Sequence, residues 1–534
     1  MIELIKQHKQ YTELGGNYQL PLPIDFETAI APDDSVRLLS HILEELNYTK
    51  LYQAYSHKGR KPGVEPRILF KVIVYAFMEG IYSTREIEKA CKRDINFKWL
   101  LQGYPALDHS NIARFIKDYL GDCLEDLFYQ LIILLHDINE IDFEHLFVDG
   151  TKIEANANKY TFVWKKVIRK NEEKMHTKIV ELFNQINTHY LTDLSFDQEN
   201  VAISLSKVLA FLQTKQSDEK IIFVHGIGKR KTLLQKLTEQ TEDFLERQQK
   251  YDSCNALFKG RNSYSKTDTD ATFMHMKDDH MRNAQLKPGY NIQIGVESEY
   301  IIGMDVYADR SDVATLIPFL ENLYDHLDVS YKNIIADAGY ESEENYLYLE
   351  AHEQTPYIKP LMYEKWKKKS FKNDISKREN MTYDENEDYY ICAGGKRLKA
   401  QGIIHRTSAN GYVSEITTYE CEDCTGCNYK EKCTKAKGNR KLQVSKKFVE
   451  KRAISYENIK TDCGIKLRMN RSIQVEGAFG VLKWDHDFTR FLRRGKNNVK
   501  TEFMILCFAY NIRKLHSKVQ NERCEKHLHP LKIA

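Results

Sequence analysis

The chain has 534 residues, too many for a single hydrophobic core, so we expect about two to four domains. Its content of 42% hydrophobic and 11% aromatic residues excludes an intrinsically disordered chain, and no apolar run approaches the roughly 20 residues that span a bilayer. Residues 1–16 hold neither the apolar stretch nor the small-residue cleavage site of an export signal, which predicts a cytoplasmic protein without a membrane partner.

The formal net charge of +3 hides an uneven distribution. Residues 428–534 hold 26 Lys and Arg against 10 Asp and Glu, a net charge of +16, and the other 427 residues carry a net charge of −13. A basic region beside an acidic body favours a polyanion such as nucleic acid as a partner. A solvated lysine-rich surface explains the same composition, so charge alone leaves both hypotheses open.

Residues 1–135 predict a helical N-terminal domain. Apolar side chains recur at helical spacing from Ile68 to Phe77 and again from Ile112 to Leu120. Ser83 and Glu86 have the spacing of a capping box that opens a second helix, and Asp108 precedes a third. Three short helices fit a DNA-binding helix-turn-helix unit, and an ordinary helical bundle fits the same pattern.

Residues 136–359 alternate between apolar strands and helices, an order typical of an α/β fold with a mixed sheet. A helical insertion at about residues 160–285 interrupts this part. Helices are expected from Asp312 and from Glu343. The strands are predicted at residues 145–148, 290–296, 300–307, 333–336 and 356–358.

Residues 360–440 are rich in Lys, Tyr and Cys and show weak periodicity, which predicts an insertion too irregular to build its own core. Five cysteines occur here, and the Cys-x2-Cys spacing among them is the pairing that delivers thiolates to tetrahedral zinc. Five cysteines are thus candidates for the four ligand positions of one zinc ion. Unmetallated thiols and an iron–sulfur cluster are the alternatives, although the bacterial iron–sulfur run closes with a shorter spacing and a proline. A bound metal would cross-link this segment and stabilise its fold.

Three acidic residues form a candidate catalytic set. Asp149 and Asp337 each follow an apolar strand, and Glu476 lies on a helix within residues 441–534, the basic C-terminal part of the core. Carboxylates are the ligands that Mg²⁺ requires, and two such ions can activate and stabilise the oxygens of a phosphodiester. Singly, Asp-Gly is a turn signal and a helical Glu is usually solvated. Together, and with Lys483 one helical face from Glu476, they predict a metal-dependent phosphodiester site.

These motifs resemble the DDE transposases of bacterial insertion sequences. The resemblance is carried by Asp149-Gly-Thr-Lys-Ile153, by Ala336-Asp-Ala-Gly-Tyr340 and by the segment from Arg471 to Lys483. Shorter matches extend it over most of residues 60–516, at residues 108–115, 265–273, 285–291, 493–495 and 509–511. The resemblance implies an RNase H-like catalytic core, divalent metal in the form of Mg²⁺ or Mn²⁺, and DNA hydrolysis followed by strand transfer.

The resemblance also assigns roles by position. It implies Asp149, Asp337 and Glu476 as the metal-binding triad and a structural Zn²⁺ on Cys392, Cys424, Cys427 and Cys433, because relatives commonly lack Cys421. Lys483 matches the Glu-x6-Lys part of the family's signature, which usually has a Tyr and an Arg upstream of the Glu. Here Arg471 stands one position from the usual Arg and no Tyr occupies the upstream position, which weakens the case for hairpin-forming chemistry. Asp268 and Asp270 also match, and a structural role in a loop is expected for them.

We expect four basic side chains to contact DNA phosphates: Lys483, Arg471, Arg493 and Arg494. Arg493 and Arg494 precede Gly495, where backbone can approach a ligand closely. The predicted function is a transposase that binds duplex DNA at element ends and target as a homo-oligomer. The alternatives are an RNase H-like nuclease that cuts without joining, and a domesticated DNA-binding protein without catalysis.

Overall fold

The computed structural model describes residues 26–55, 62–276, 284–408 and 410–531. The chain forms two compact units, Met1–Phe115 and Ile116–Ala534. Residues 1–16, on which the expectation about export rests, lie outside the described residues. Within the described ranges, no helix combines the length and apolar character needed to cross a bilayer.

The first unit is helical in its described part. Its helices are α1 Phe26–Ala29, α2 Ser35–Glu44, α3 Thr49–Gln53, α4 Pro66–Met78, α5 Thr84–Arg93, α6 Ile95–Leu100 and α7 His109–Arg114. The helix predicted around residues 68–77 is confirmed as α4, and almost all of its side chains are buried. Asp108 caps α7 by accepting the backbone N–H of Ser110 at 2.8 Å.

One detail of the first unit corrects the sequence analysis. Helix α5 begins directly after Ser83 as expected, but the side chain of Ser83 makes no capping hydrogen bond within the described part of the chain. The capping-box prediction is therefore wrong in mechanism and right in position. The helix is held instead by burial of Ile87 and Cys91 on one face of an otherwise charged sequence.

The core of the second unit is a six-stranded mixed sheet, which confirms the predicted α/β class. Its strands are ordered β4-β5-β1-β7-β8, with β6 also paired to β5. Strand β1 is antiparallel to β5 and parallel to β7, and β7 is parallel to β8. The strands are β1 His145–Glu154, β4 Thr272–His275, β5 Leu286–Glu297, β6 Tyr300–Tyr307, β7 Asn333–Ala336 and β8 Thr355–Ile358.

Helices cover this sheet. They are α8 Leu124–Asp137, α12 Leu316–Leu327, α13 Glu343–Ala351, α17 Lys446–Asn458, α18 Asp462–Arg471 and α20 Lys496–Gln520. All side chains of residues 501–512 in α20 are buried, because this helix packs against both β6 and α8. The helix expected from Asp312 begins four residues later, at Leu316, and the helix expected from Glu343 is confirmed.

A helical insertion separates β1 from β4. It consists of α9 Lys165–Tyr190, α10 Val201–Asp218 and α11 Leu233–Phe258, and its base is closed by the short pair β2 Phe162–Trp164 and β3 Ser263–Ser265. Apolar side chains from all three helices, such as Leu182, Leu205 and Leu237, form a separate core. The insertion is therefore an independently packed arm.

The cysteine-rich segment is more regular than the sequence predicts. It folds as a five-stranded antiparallel sheet ordered β13-β12-β11-β10-β9. The strands are β9 Thr382–Asp384, β10 Tyr389–Ile391, β11 Arg397–Thr407, β12 Val413–Cys421 and β13 Lys441–Val444; the helices α14 Tyr363–Trp366 and α15 Lys369–Lys372 precede them, and α16 Lys430–Cys433 lies between β12 and β13. A small core of Tyr390, Leu398, Tyr419 and neighbours contradicts the prediction that this segment lacks one.

Candidate active site

The first two acids meet at one edge of the core sheet. Strands β1 and β7 run parallel, and their last paired residues are Val148 and Ala336. Asp337 follows β7 directly, whereas Asp149 lies within β1, which continues to Glu154 alongside β5 and so extends beyond the predicted strand end at residue 148. The two carboxylates therefore lie where the pairing of β1 with β7 ends. The apolar residues before them are fully buried, which fixes this register. The strands thus bring together two residues that are 188 positions apart in the sequence.

The third acid reaches the same edge from a helix. Helix α18 continues through a π-helical turn, Ser472–Glu476, into α19 Gly477–Gly480 and a second π-helical turn, Val481–Asp485. The first turn packs against β1 and β5 through the buried side chains of Gln474 and Val475. A π-helical turn widens the helix by one residue and often marks a functional position. Here Glu476 closes that turn, and its side chain is 59% exposed.

Arg471 links the first and third acids. Its Nη1 donates to Asp149 Oδ2 at 2.8 Å, and its Nη2 donates to Glu476 Oε1 at 3.2 Å. The arginine side chain is only 15% exposed, so solvent screens its pair with Asp149 incompletely. The Arg471 guanidinium therefore lies between the carboxylates of Asp149 and Glu476 and is paired with both.

The Asp149 carboxyl is largely buried and lies near a second carboxylate. Burial raises the pKa of the Asp149 carboxyl, and the nearby carboxylate of Asp337 raises it further, whereas Arg471 and the Gly150 N–H oppose the shift. The Gly150 N–H donates to Asp149 Oδ1 at 2.8 Å. A buried carboxyl whose pKa is raised is stabilised in its charged form by a nearby cation, and Arg471 supplies one here.

Lys483 is held alongside β1. Its Nζ donates to Thr151 Oγ1 at 2.5 Å, two residues beyond Asp149, and its side chain is largely buried. The helix thus delivers Glu476 and Lys483 to the same strand. Lys483 is buried, whereas Glu476 is exposed.

A fourth acid, Asp312, was missed by the sequence analysis as a site residue. The side-chain amides of Asn291 and Gln293 on β5 donate to Asp312 Oδ1 at 2.8 and 2.9 Å. The Tyr340 hydroxyl donates to Gln293 Oε1, and burial raises the pKa of Tyr340 well above its usual value, as do the carboxylates of Asp149 and Asp312. Two amides within the otherwise apolar strand β5 were the available signal.

This network explains Gly150. The residue pairs with Gln293 across β1 and β5, and a Cβ at position 150 would lie 2.2 Å from Gln293 Nε2 and 2.9 Å from Asp312 Oδ1. Glycine is required because polar side chains fill the space above it, and not because the chain turns there.

Arg493 and Arg494 lie on the loop before α20, away from the Arg471 pairings. The backbone N–H groups of Leu492 and Arg493 both donate to the Glu502 carboxylate at 3.0 Å, and burial lowers the pKa of Arg493 while Glu502 opposes it. Arg494 is exposed, and its Nε donates to the Asn156 carbonyl oxygen at 2.8 Å. The structure thus gives the two arginines different surroundings.

Asp268 and Asp270 hold the same loop. Asp268 Oδ1 accepts the Gly495 N–H at 3.3 Å, and Asp270 Oδ2 accepts the Lys496 N–H at 3.1 Å. Asp268 also accepts the hydroxyl of the buried Tyr290 at 2.8 Å. These contacts agree with the structural loop role expected for both residues.

The cysteine cluster converges on one small cavity. Cys392, Cys421, Cys424, Cys427 and Cys433 all line it, together with Lys396, Asp423 and Arg440. Each is a free thiol. The Cys424 sulfur accepts the Arg440 N–H at 3.4 Å. Cys421 is deeper than the others and belongs to the core of the small sheet.

The first unit holds a separate group of polar side chains, Glu88, Asp108 and His109, whose ligand atoms lie close enough together for a metal ion. Glu88 already accepts the His109 N–H at 3.0 Å and pairs with Lys92. These contacts join α5 to the start of α7, and they account for the group as part of the helix packing.

Comparison with known proteins gives two matches to protein-family models. A Transposase DDE domain matches residues 391–516, and a Transposase domain (DUF772) matches residues 24–118. The first spans much of the cysteine-rich sheet and the helix of Arg471, Glu476 and Lys483; Asp149 and Asp337 precede it. No curated protein and no solved structure matches the chain. The resemblance drawn from the sequence motifs is confirmed.

Proposed function

We propose that this chain, a DDE transposase of the insertion-sequence type, cleaves and rejoins DNA phosphodiesters with Asp149, Asp337 and Glu476. One observation carries the proposal. Two carboxylates lie where the pairing of two adjacent parallel strands ends, and Arg471 donates hydrogen bonds both to the first of them and to the glutamate of the helix. As part of the proposal, we extend to this mixed sheet the RNase H-like core that the resemblance implies.

The donor set fits divalent metal. Three carboxylates supply the hard oxygen ligands that suit Mg²⁺ or Mn²⁺. The raised pKa of Asp149 and its pairing with the Arg471 guanidinium both indicate that positive charge stabilises this edge. When bound by Asp149, Asp337 and Glu476, the metal would activate the attacking oxygen and stabilise the leaving oxygen.

The protein's own cations would hold the phosphate. Arg471 has a planar guanidinium suited to two phosphate oxygens, and it is positioned by Asp149 and Glu476. Lys483 is fixed by Thr151 as a point charge beside β1. Residues 428–534, which carry a net charge of +16, would bind the DNA backbone farther from the reacting phosphate. Within this segment, Arg494 is more exposed than Arg493.

The remaining roles complete the proposal. Zn²⁺ on Cys392, Cys424, Cys427 and Cys433 would stabilise the five-stranded sheet, because the thiols already share one cavity. The helices of the first unit would recognise duplex DNA at the element ends. The enzyme would act as a homo-oligomer that holds both ends.

The test is cleavage and joining of DNA that flanks the gene. Labelled duplexes of both flanking sequences are incubated with a supercoiled target plasmid and Mg²⁺. We expect Asp149→Asn, Asp337→Asn and Glu476→Gln each to lower cleavage by about 10³-fold or more while DNA binding persists. Asp485→Asn, at an exposed acid on the same helix, is the matched control and should cleave normally.

Three outcomes separate the alternatives. Cutting that never leads to joining would indicate a nuclease, and binding without Mg²⁺-dependent cutting would indicate a non-catalytic DNA-binding protein. Cleavage at the wild-type rate by any of the three variants would remove that residue from the site.

A further inference from the structure

The loop between α10 and α11 has an unusual surface. Its turn, Gly226-Ile227-Gly228, places an isoleucine side chain fully in solvent, with 108% of its reference exposure. The flanking glycines have φ of +113° and +85°, a backbone region that residues with a Cβ rarely adopt. The sequence thus presents an aliphatic side chain at the point of a tight turn.

A run of cations follows this isoleucine directly. Lys229, Arg230 and Lys231 are all exposed, and Lys231 pairs with Glu239 at 2.5 Å. Within the described ranges, no carboxylate lies within ion-pair distance of Lys229 or Arg230. Two unneutralised charges therefore stand beside the exposed aliphatic tip.

The base of this loop is firmly held. The buried side chain of Gln235 donates to the Val224 carbonyl oxygen at 2.8 Å and accepts the Val224 N–H at 3.1 Å. Phe223 packs against the core of the helical insertion, and Thr232 caps α11 by accepting the Gln235 N–H. A rigid base that projects an apolar tip is a surface feature with no packing role inside the chain.

The loop lies at the end of the helical insertion that is farther from its β2–β3 base. It opens α11, whose 26 residues extend for roughly 39 Å before β3 returns the chain to the core. The insertion thus carries its tip to the end of a long arm.

From these observations we propose that residues 226–231 form a DNA wedge, in which Ile227 inserts between base pairs in the minor groove and Lys229 and Arg230 bind the adjacent phosphates. Isoleucine is among the side chains that proteins insert between base steps to unstack and kink duplex DNA. The neighbouring cations are complementary to the phosphates of such a duplex. The proposal rests on the proposed function, since it requires that the protein bind duplex DNA.

Insertion between base pairs unwinds DNA, and unwinding can be measured without catalysis. Closed circular plasmid is relaxed by a metal-independent topoisomerase in the presence of the full-length protein and without added Mg²⁺. The wild-type protein should shift the topoisomer distribution after its removal. Ile227→Ala should abolish that shift and weaken plasmid binding by about tenfold.

The chain offers a matched control. Leu191 is also exposed at the connection between α9 and α10, with 92% of its reference exposure, but the residues around it include Asp193 and no Lys or Arg. Leu191→Ala should unwind plasmid as the wild type does. The pair Lys229→Ala and Arg230→Ala should lower the slope of log affinity against log salt by about 1.8, the value for two lost phosphate contacts.

The outcomes separate this wedge from the catalytic proposal. Normal unwinding by Ile227→Ala, or binding of the wild-type protein without unwinding, would overturn the wedge and leave the triad standing. A change of molar mass on Ile227→Ala with unwinding intact would show that the loop joins subunits, which also overturns it. Loss of cleavage in the triad variants with unwinding retained supports both.

Discussion

The two large sheets of the second unit are buried in different ways. In the six-stranded sheet, β5, β6 and β7 are covered on both faces, and nearly every residue of these strands is buried. In the five-stranded sheet, β11 is exposed along its whole length except for Leu398. The apolar residues buried on both faces stabilise the six-stranded sheet even though carboxylates lie where the pairing of β1 with β7 ends. The five-stranded sheet buries few residues and depends on a further source of stability, which we assign to bound zinc. We therefore expect removal of the metal from the second sheet to unfold it, whereas single substitutions in the first should have smaller effects on stability.

The largest effect is expected from removal of the metal that we assign to the cysteine cavity. Cys427→Ser should eliminate one zinc per chain and unfold the five-stranded sheet, since a structural zinc contributes folding free energy of several kcal/mol or more. Elemental analysis and thermal unfolding of the full-length protein measure the two effects.

Cys421→Ser is the matched control in the same cavity. Cys421 packs in the small core, so its loss should lower stability modestly while the zinc content remains about one per chain. A protein with no zinc, or with iron and sulfide, would contradict this account of the small sheet.

A smaller effect is expected at Gly150. Alanine there would clash with Gln293 and Asp312, and we expect a loss of about 1–3 kcal/mol in the free energy of unfolding, together with reduced cleavage. Gly477→Ala is the control, because its Cβ would meet no atom within 4 Å, and it should stabilise the helix by up to about 1 kcal/mol. Urea unfolding compares the two; equal stabilities would show that the Gln293 network does not constrain position 150.

The smallest effect concerns pH at the far end of β5. Burial raises the pKa of Glu297 to about 8, and the neighbouring Asp142 carboxyl adds to this shift. Because the folded pKa exceeds the ordinary value of 4.5, this group's contribution to stability is fully present below pH 4.5 and is lost as pH rises through about 8.

Glu297→Gln should flatten this dependence. An amide oxygen can still accept the Asp142 and Phe143 N–H groups, both at 2.8 Å, and glutamine does not ionise. Urea unfolding at pH 6 and pH 9 should show a smaller difference for the variant than for the wild type. Glu144→Gln, at an exposed neighbour, should leave the difference unchanged; a similar result for Glu297→Gln would contradict the assignment.

The contrast between the sheets also explains what the sequence could reveal. Strands that are buried on both faces give continuous apolar runs, so the runs that precede Asp149 and Asp337 could be located from the sequence pattern. That β1 continues beyond Asp149 to Glu154 could not, because this part of the strand is more polar. Strand β11 has one buried residue among eleven and leaves no such run, so the small sheet was missed. The role of Asp312 was also missed, because Asp312 lies in a different segment from β5. Only the fold brings it within hydrogen-bond distance of the Asn291 and Gln293 amides.

The central claim is that the triad holds divalent metal, and an exchange of ligand for sulfur tests it most directly. Asp337→Cys should lose Mg²⁺-dependent cleavage of the flanking duplex and regain part of it in Mn²⁺, which accepts sulfur more readily than Mg²⁺ does. Asp312→Cys is the control, because Asp312 Oδ1 is occupied by two amides, and Mn²⁺ should not rescue its activity. Rescue of Asp337→Cys alone is the predicted result, and equal activity of Asp337→Cys in both metals would contradict the claim.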